Sequence, residues 1–213
     1  MKRLLARALH AINRWVPGLK YLAPKPLRRW LMLHVVDVDG AFGTLARLQS
    51  RRFMENDLLP WLRDRYARIL FVGTASYTHH YEKLFAARPG QLTTMDVNPA
   101  AAVWGAPDHI VGPIQDIGRR RPRSAFDCIV LNGVFGFGVD DPPAMRATIE
   151  AIHAVLEPGG LLVLGWNVDR HADPDTLGIY DGRFAPCDAL PWRRRVTFES
   201  ETHVNDFYVR RPD

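Results

Sequence analysis

Short apolar runs alternate along the chain with stretches whose apolar residues recur every three or four positions, and this alternation predicts strands separated by helices. Ile69–Val72 is the first such run, rich in β-branched and aromatic residues, and it stops at Gly73. A polar turn follows, after which Tyr77, Tyr81, Leu84 and Phe85 fall at helical spacing. Gln91–Val97 reads as the second strand and ends at Asp96; Ala100–Trp104 predicts a short helix and His109–Val111 a short strand. Phe126–Leu131 is a fourth apolar strand, running into Asn132-Gly133-Val134. Asp140 or Asp141 can cap a helix that starts at Pro142, buries Ile149, Ile152, Val155 and Leu156, and is closed by Pro158-Gly159-Gly160. Leu161–Gly165 is a fifth strand, residues 168–191 are loop-rich, and Arg195–Ser200 with His203–Arg210 predict a closing strand pair.

The order defines an α/β chain with a doubly wound, mostly parallel, Rossmann-like sheet carrying helices on both faces. Met1–Val16, Leu27–His34 and Phe42–Tyr66 read as helices ahead of it. The expected organisation is an N-terminal helical extension over residues 1–67 and a sheet domain over 68–213.

Composition narrows the class. A hydrophobic content of 47% and a charged content of 24% are ordinary globular values, which exclude disorder and collagen-like repeats. Cys128 and Cys187 are too few for a disulfide framework or a zinc site, so a reducing cytoplasm is the expected setting and no metal is implied. The net charge of +5 comes from the first 36 residues, which hold eight Lys/Arg and no acid. The remainder is slightly acidic and lacks the broad basic surface that nucleic acid requires. Residues 1–16 form a basic amphipathic pattern that suits an anionic membrane surface, an acidic partner or packing over the domain, and its charges interrupt the apolar run as no signal peptide does.

Two positions carry chemistry. A buried strand that breaks at a glycine and turns into a helix is where doubly wound sheets hold ligands, so Gly73–His80 is expected to face one. Asp96 lies 23 residues beyond Gly73 at the tip of the next strand, where a carboxylate accepts two hydrogen bonds from the vicinal diol of a nucleoside. The same Asp ahead of Asn98-Pro99 also suits a turn or helix cap.

The assembled pattern resembles a class I S-adenosylmethionine-dependent methyltransferase of the type 11 kind, over roughly residues 68–210. Four features carry the likeness, in order: the strand ending at Gly73, the acidic tip at Asp96, the strand FDCIVLNGVF, and the helix ending in LEPGGLLVLGWN. The resemblance implies a seven-stranded sheet, S-adenosylmethionine as cofactor and a small-molecule or lipid-linked acceptor. It assigns Gly73, Thr74 and Ala75 to the methionine part of the cofactor, Asp96 to the ribose, and Val97, Asn98, Asp116 and Ile117 to the adenine side. Asn132, Gly133 and Val134 fall at the cofactor's amino-acid end or the acceptor. Because a sulfonium methyl is already activated, alignment is the largest catalytic task left to the protein.

The sequence departs from the family at the corner itself. GTASYT has one glycine where the family has two or three, so Ser76 and Tyr77 replace bare backbone. That departure also suits a degenerate methyltransferase fold acting as a non-catalytic binding or scaffold subunit. Nucleotide-dependent oxidoreduction is disfavoured, since the turn lacks the glycines that seat a pyrophosphate. Tyr77, His79 and His80 are the catalytic candidates, a histidine of near-neutral pKa being suited to deprotonate a hydroxyl or amine. His109 and His203 receive no assignment. Asn132-Gly133-Val134-Phe135 keeps the ends, and lacks the prolines, of the Asn-Pro-Pro-Phe/Tyr loop that acts on amino groups.

Overall fold

The computed structural model of the chain describes residues 24–34 and 47–212, with side chains through Trp30 in the first segment. The chain forms two compact units, Met1–Arg47 and Leu48–Asp213. In the first, Lys25–His34 is a helix (α1); the basic segment 1–16 and residues 42–46 of the expected helix lie outside the described residues. No helix among the described residues is long and apolar enough to cross a membrane.

The second unit opens with a continuous helical segment: α2 (Gln49–Arg52), a π-helical stretch Phe53–Leu58, and α3 (Leu59–Arg65). The expected 42–66 helix therefore starts at Gln49 within the described residues. Pro60 accounts for the widened middle, because it has no N–H to donate back and its ring crowds the preceding turn. The start of α2 has no cap of its own. Instead the Glu201 carboxylate accepts the Gln49 N–H at 2.5 Å and the Ser50 N–H at 3.3 Å, fixing the helix to the far end of the sheet.

The strands are β1 (Ile69–Val72), β2 (Leu92–Asp96), β3 (Asp108–Val111), β4 (Phe126–Asn132), β5 (Leu156–Asn167), β6 (Phe184–Pro186), β7 (Arg195–Thr197) and β8 (His203–Arg210). They form one sheet in the order β3-β2-β1-β4-β5-β8-β6, with β7 also on β8. β1 to β5 run parallel, whereas β8 returns antiparallel to β5, with Gly165 opposite Asn205 and Asn167 opposite His203. β6 and β7 pair with different parts of β8, which makes eight strands where seven were expected.

Both faces are covered at the centre of the sheet, which is why β1, β4 and the second half of β5 read as apolar runs. Leu70, Val72, Ile129, Leu131, Leu162 and Leu164 pack with helix α5 (Pro142–Val155). Ile69, Phe71, Cys128, Val130, Leu161 and Val163 pack on the other face against Leu58, Leu59 and Leu62. Cys128 is wholly buried and its thiol pKa is pushed up, so it packs as a small hydrophobe.

Three expectations are corrected. The helix expected after Gly73 is broken into a 3-10 turn, Ser76–Thr78, and a four-residue α4, Tyr81–Leu84. Side chains explain the break: Thr78 Oγ1 donates to the Ala75 carbonyl at 2.9 Å and His79 Nδ1 takes the Ser76 carbonyl at 2.8 Å, competing with the helical ladder. Ala100–Trp104 is likewise a 3-10 turn, Pro99–Val103. Pro158-Gly159-Gly160 does not close α5, which ends at Val155; it lies in the first half of β5, beside a register shift against β4. Asp141, capping Ala144 N–H at 2.8 Å, starts α5 at Pro142 as anticipated.

A buried charge network ties the loop after β5 to the sheet. Asp206 on β8 is 0% exposed and accepts Trp166 Nε1–H at 2.8 Å and Arg195 Nε–H at 2.7 Å. The same guanidinium grips Asp173 and holds its carboxyl below the usual carboxylate range, while Tyr208 donates to Asp175 at 2.6 Å.

Candidate active site

The carboxyl ends of β1 to β5 form one edge of the sheet, and every expected cofactor residue lies on that edge or in a segment leaving it. Gly73 has φ +95° and donates its N–H to the Met95 carbonyl at 2.9 Å. A Cβ there would stand 1.9 Å from the Asn132 carbonyl oxygen, so glycine is required by both conformation and space.

The next residues are braced by Asp96. Its Oδ2 accepts the Thr74 N–H at 2.9 Å and its Oδ1 accepts the Asn98 N–H at 2.8 Å. Each oxygen keeps a second acceptor direction for an external donor. Asn98 folds back to accept the Ala100 N–H at 3.0 Å, and Val97 stands 68% exposed between the two polar residues. Asp116 and buried Ile117 lie in the 3-10 turn Ile114–Arg119, with Asp116 3.2 Å from Arg119. Gly133 turns the chain at φ +64°, and Val134 packs onto the core. The exposed apolar side chains Val97, Phe137 and Val168 follow β2, β4 and β5, at the rim of this edge.

Tyr77 and His80 meet the helical segment 49–65, and His79 lies between them in sequence. Tyr77 lies under the Arg51 guanidinium at 4.0 Å. His79 is tied to Ser76 and sets its ring against Trp104 at 6.4 Å, while His80 Nε2 is 3.3 Å from Glu55. Arg51 itself carried no sequence signal, being one of several arginines in a helix. Its side chain is 10% exposed, donates Nη1–H to Tyr81 OH at 2.5 Å and sits 3.4 Å from Glu55, yet its buried Nη2 has no partner among the described residues.

At the Gly73 corner, Thr74 Oγ1 and Asn132 Oδ1 are likewise buried without a hydrogen-bond partner among the described residues. Asn132 is the hinge of the arrangement. Its carbonyl closes on Gly73, and its side-chain oxygen lies 2.1 Å from where a Gly165 Cβ would stand, with His203 Cε1 3.2 Å from the same point. Gly165 and His203 belong to the site and were not anticipated. A glycine inside an otherwise apolar strand signals close approach, and Gly165 carried that signal.

No family model matches the sequence, and no curated protein does. Among solved structures the fold is similar to the N-methyltransferase NodS from Bradyrhizobium japonicum WM9, in complex with S-adenosyl-L-homocysteine: TM-score 0.60 and 20% identity, covering 80% of this chain and 91% of that one. It is also similar to 1,6-didemethyltoxoflavin-N1-methyltransferase from Burkholderia thailandensis, with 1,6-didemethyltoxoflavin and S-adenosylhomocysteine bound (TM-score 0.51, 17% identity, 80% and 86% covered). A third is a putative type 11 methyltransferase from Sulfolobus solfataricus (TM-score 0.52, 14% identity, 75% and 93% covered). The chain has the Rossmann-like fold of the class I S-adenosylmethionine-dependent methyltransferases.

Proposed function

We propose that this chain transfers a methyl group from S-adenosylmethionine to a small-molecule acceptor. One observation carries the reading: the Asp96 carboxylate, at the tip of β2 beside the Gly73 corner, is pinned by two backbone amides with acceptor directions to spare. A ribose diol is the ligand that such a pinned carboxylate suits, and the solved neighbours with S-adenosylhomocysteine support it.

S-adenosylmethionine supplies, when bound, a methyl group already activated by the sulfonium. The protein's own residues hold and orient. Asp96 fixes the ribose, Val97 and Asp116 flank the adenine side, and Gly73 leaves room for the methionine part. Arg51 Nη2 and Thr74 Oγ1, both unpartnered, suit the carboxylate of an amino-acid tail. Tyr77 and Tyr81 hold the guanidinium in place, so its geometry is set before the ligand arrives.

A paired titration tests this. Wild type is expected to bind S-adenosylhomocysteine more tightly than methylthioadenosine, which lacks the amino-acid tail. Arg51→Met lowers affinity for the first by about 10- to 100-fold, the size of one charge-assisted hydrogen bond, and leaves the second unchanged. Equal affinity of wild type for both, or equal loss in the variant, contradicts the assignment.

A further inference from the structure

We propose that His203 takes the proton from the acceptor, and that the acceptor's nucleophile is a neutral amino nitrogen carrying two hydrogens. The inference rests on the methyl-transfer reading above and goes beyond it in naming the base and the acceptor class. Strand alternation places Asn132, Gly165, His203 and Asn205 on the face that carries the helical segment 49–65, in step with Val130, Val163 and Phe207. Gly165 lets the Asn132 carboxamide and the His203 ring meet across one strand. Asn132 thus reaches from the cofactor corner, through its carbonyl, to the imidazole, through its side chain.

The proposed base is the tautomer with its proton on Nδ1 and its lone pair on Nε2. It matches the Asn167 carboxamide, whose Nδ2 donates to Thr202 Oγ1 at 2.9 Å and whose Oδ1, which only accepts, lies 3.4 Å from His203 Nδ1. Phe198 stacks on the ring at 6.3 Å and 22°. Burial lowers the His203 pKa; Asn205 and the Glu201 charge oppose this, and the Arg51 charge reinforces it. Glu201 is engaged at the start of α2, so a cationic acceptor finds a guanidinium and a buried ring instead of a free counter-charge.

In the proposed arrangement one nucleophile meets two acceptors, Asn132 Oδ1 and His203 Nε2. An amino group offers an N–H to each and keeps its lone pair for the methyl carbon, whereas a hydroxyl has a single hydrogen. As the carbon–sulfur bond breaks, its electron pair stays on sulfur. The nitrogen lone pair forms the carbon–nitrogen bond, one N–H proton passes to Nε2, and the other N–H remains on Asn132.

The test is nuclear magnetic resonance of the full chain with labelled histidine and asparagine, saturated with S-adenosylhomocysteine and titrated separately with aniline, phenol and toluene. His203→Gln identifies the ring signals. The expected result is a neutral His203 with the proton on Nδ1 at neutral pH, titrating below the ordinary value of 6.5. Aniline is expected to shift the His203 and Asn132 signals at lower concentration than phenol, with toluene inert. A cationic ring, a proton on Nε2, phenol or toluene matching aniline, or no response to any probe overturns the proposal while leaving cofactor binding intact. Failure to bind S-adenosylhomocysteine overturns the methyl-transfer reading and this proposal with it.

Discussion

Gly73→Ala is expected to lose S-adenosylhomocysteine binding and about 2–4 kcal/mol of stability, read by calorimetric titration and by urea unfolding. Two independent costs combine. Alanine at φ +95° is strained, and its Cβ would lie 1.9 Å from the Asn132 carbonyl oxygen, which belongs to backbone and cannot rotate away. Relief requires β1 and β4 to separate at the centre of the sheet, which also moves Thr74 off Asp96. Gly133→Ala supplies the contrast. Its φ of +64° imposes strain, but a Cβ there meets nothing within 4 Å, so binding is retained at a cost of about 1 kcal/mol. Equal behaviour of the two variants contradicts the packing argument.

Asp206→Ala is expected to cost about 2–4 kcal/mol, because it leaves the buried Trp166 indole N–H without its acceptor and takes a charge-assisted bond from Arg195, which keeps Asp173 and Asp175. The carboxylate is 0% exposed and joins Trp166 on β5, Arg195 on β7 and, through Arg195, Asp173 in the loop after β5. Asp173→Ala removes a partner that is about one-third exposed, and its loss is expected near 1 kcal/mol. Thermal unfolding of the pair separates a buried network from a surface one. Similar shifts for both would show that Asp206 is not the anchor.

The central parallel strands β1, β4 and β5 were legible because each is covered on both faces and so reads as an apolar run; Ile69–Val72 matches its strand to the residue. Asp96 was legible for the same reason, as the polar end of such a run. The broken helix after Gly73 was not, because the apolar spacing of Tyr77, Tyr81 and Phe85 persists while Thr78 and His79 divert the carbonyls of Ala75 and Ser76. Phe184–Pro186 is three residues with a proline, too short for any period to register. Arg51 and His203 escaped for a topological reason. Arg51 matters only because α2 lies over the corner, and His203 only because β8 returns antiparallel beside β5, a pairing set by contacts distant in sequence. Tyr77, His79 and His80 sit together as the chain order implied, each engaged with Arg51, Ser76 or Glu55.

The most direct measurement is calorimetric titration of S-adenosylhomocysteine into wild type and Asp96→Ala. Binding to wild type and a loss of at least about 100-fold in the variant are predicted, since the ribose contact and the brace on Thr74 and Asn98 go together. Circular dichroism of the variant should retain the sheet, because Asp96 lies at a strand tip and not in the core. No binding to wild type, or binding to Asp96→Ala as tight as wild type, contradicts the account.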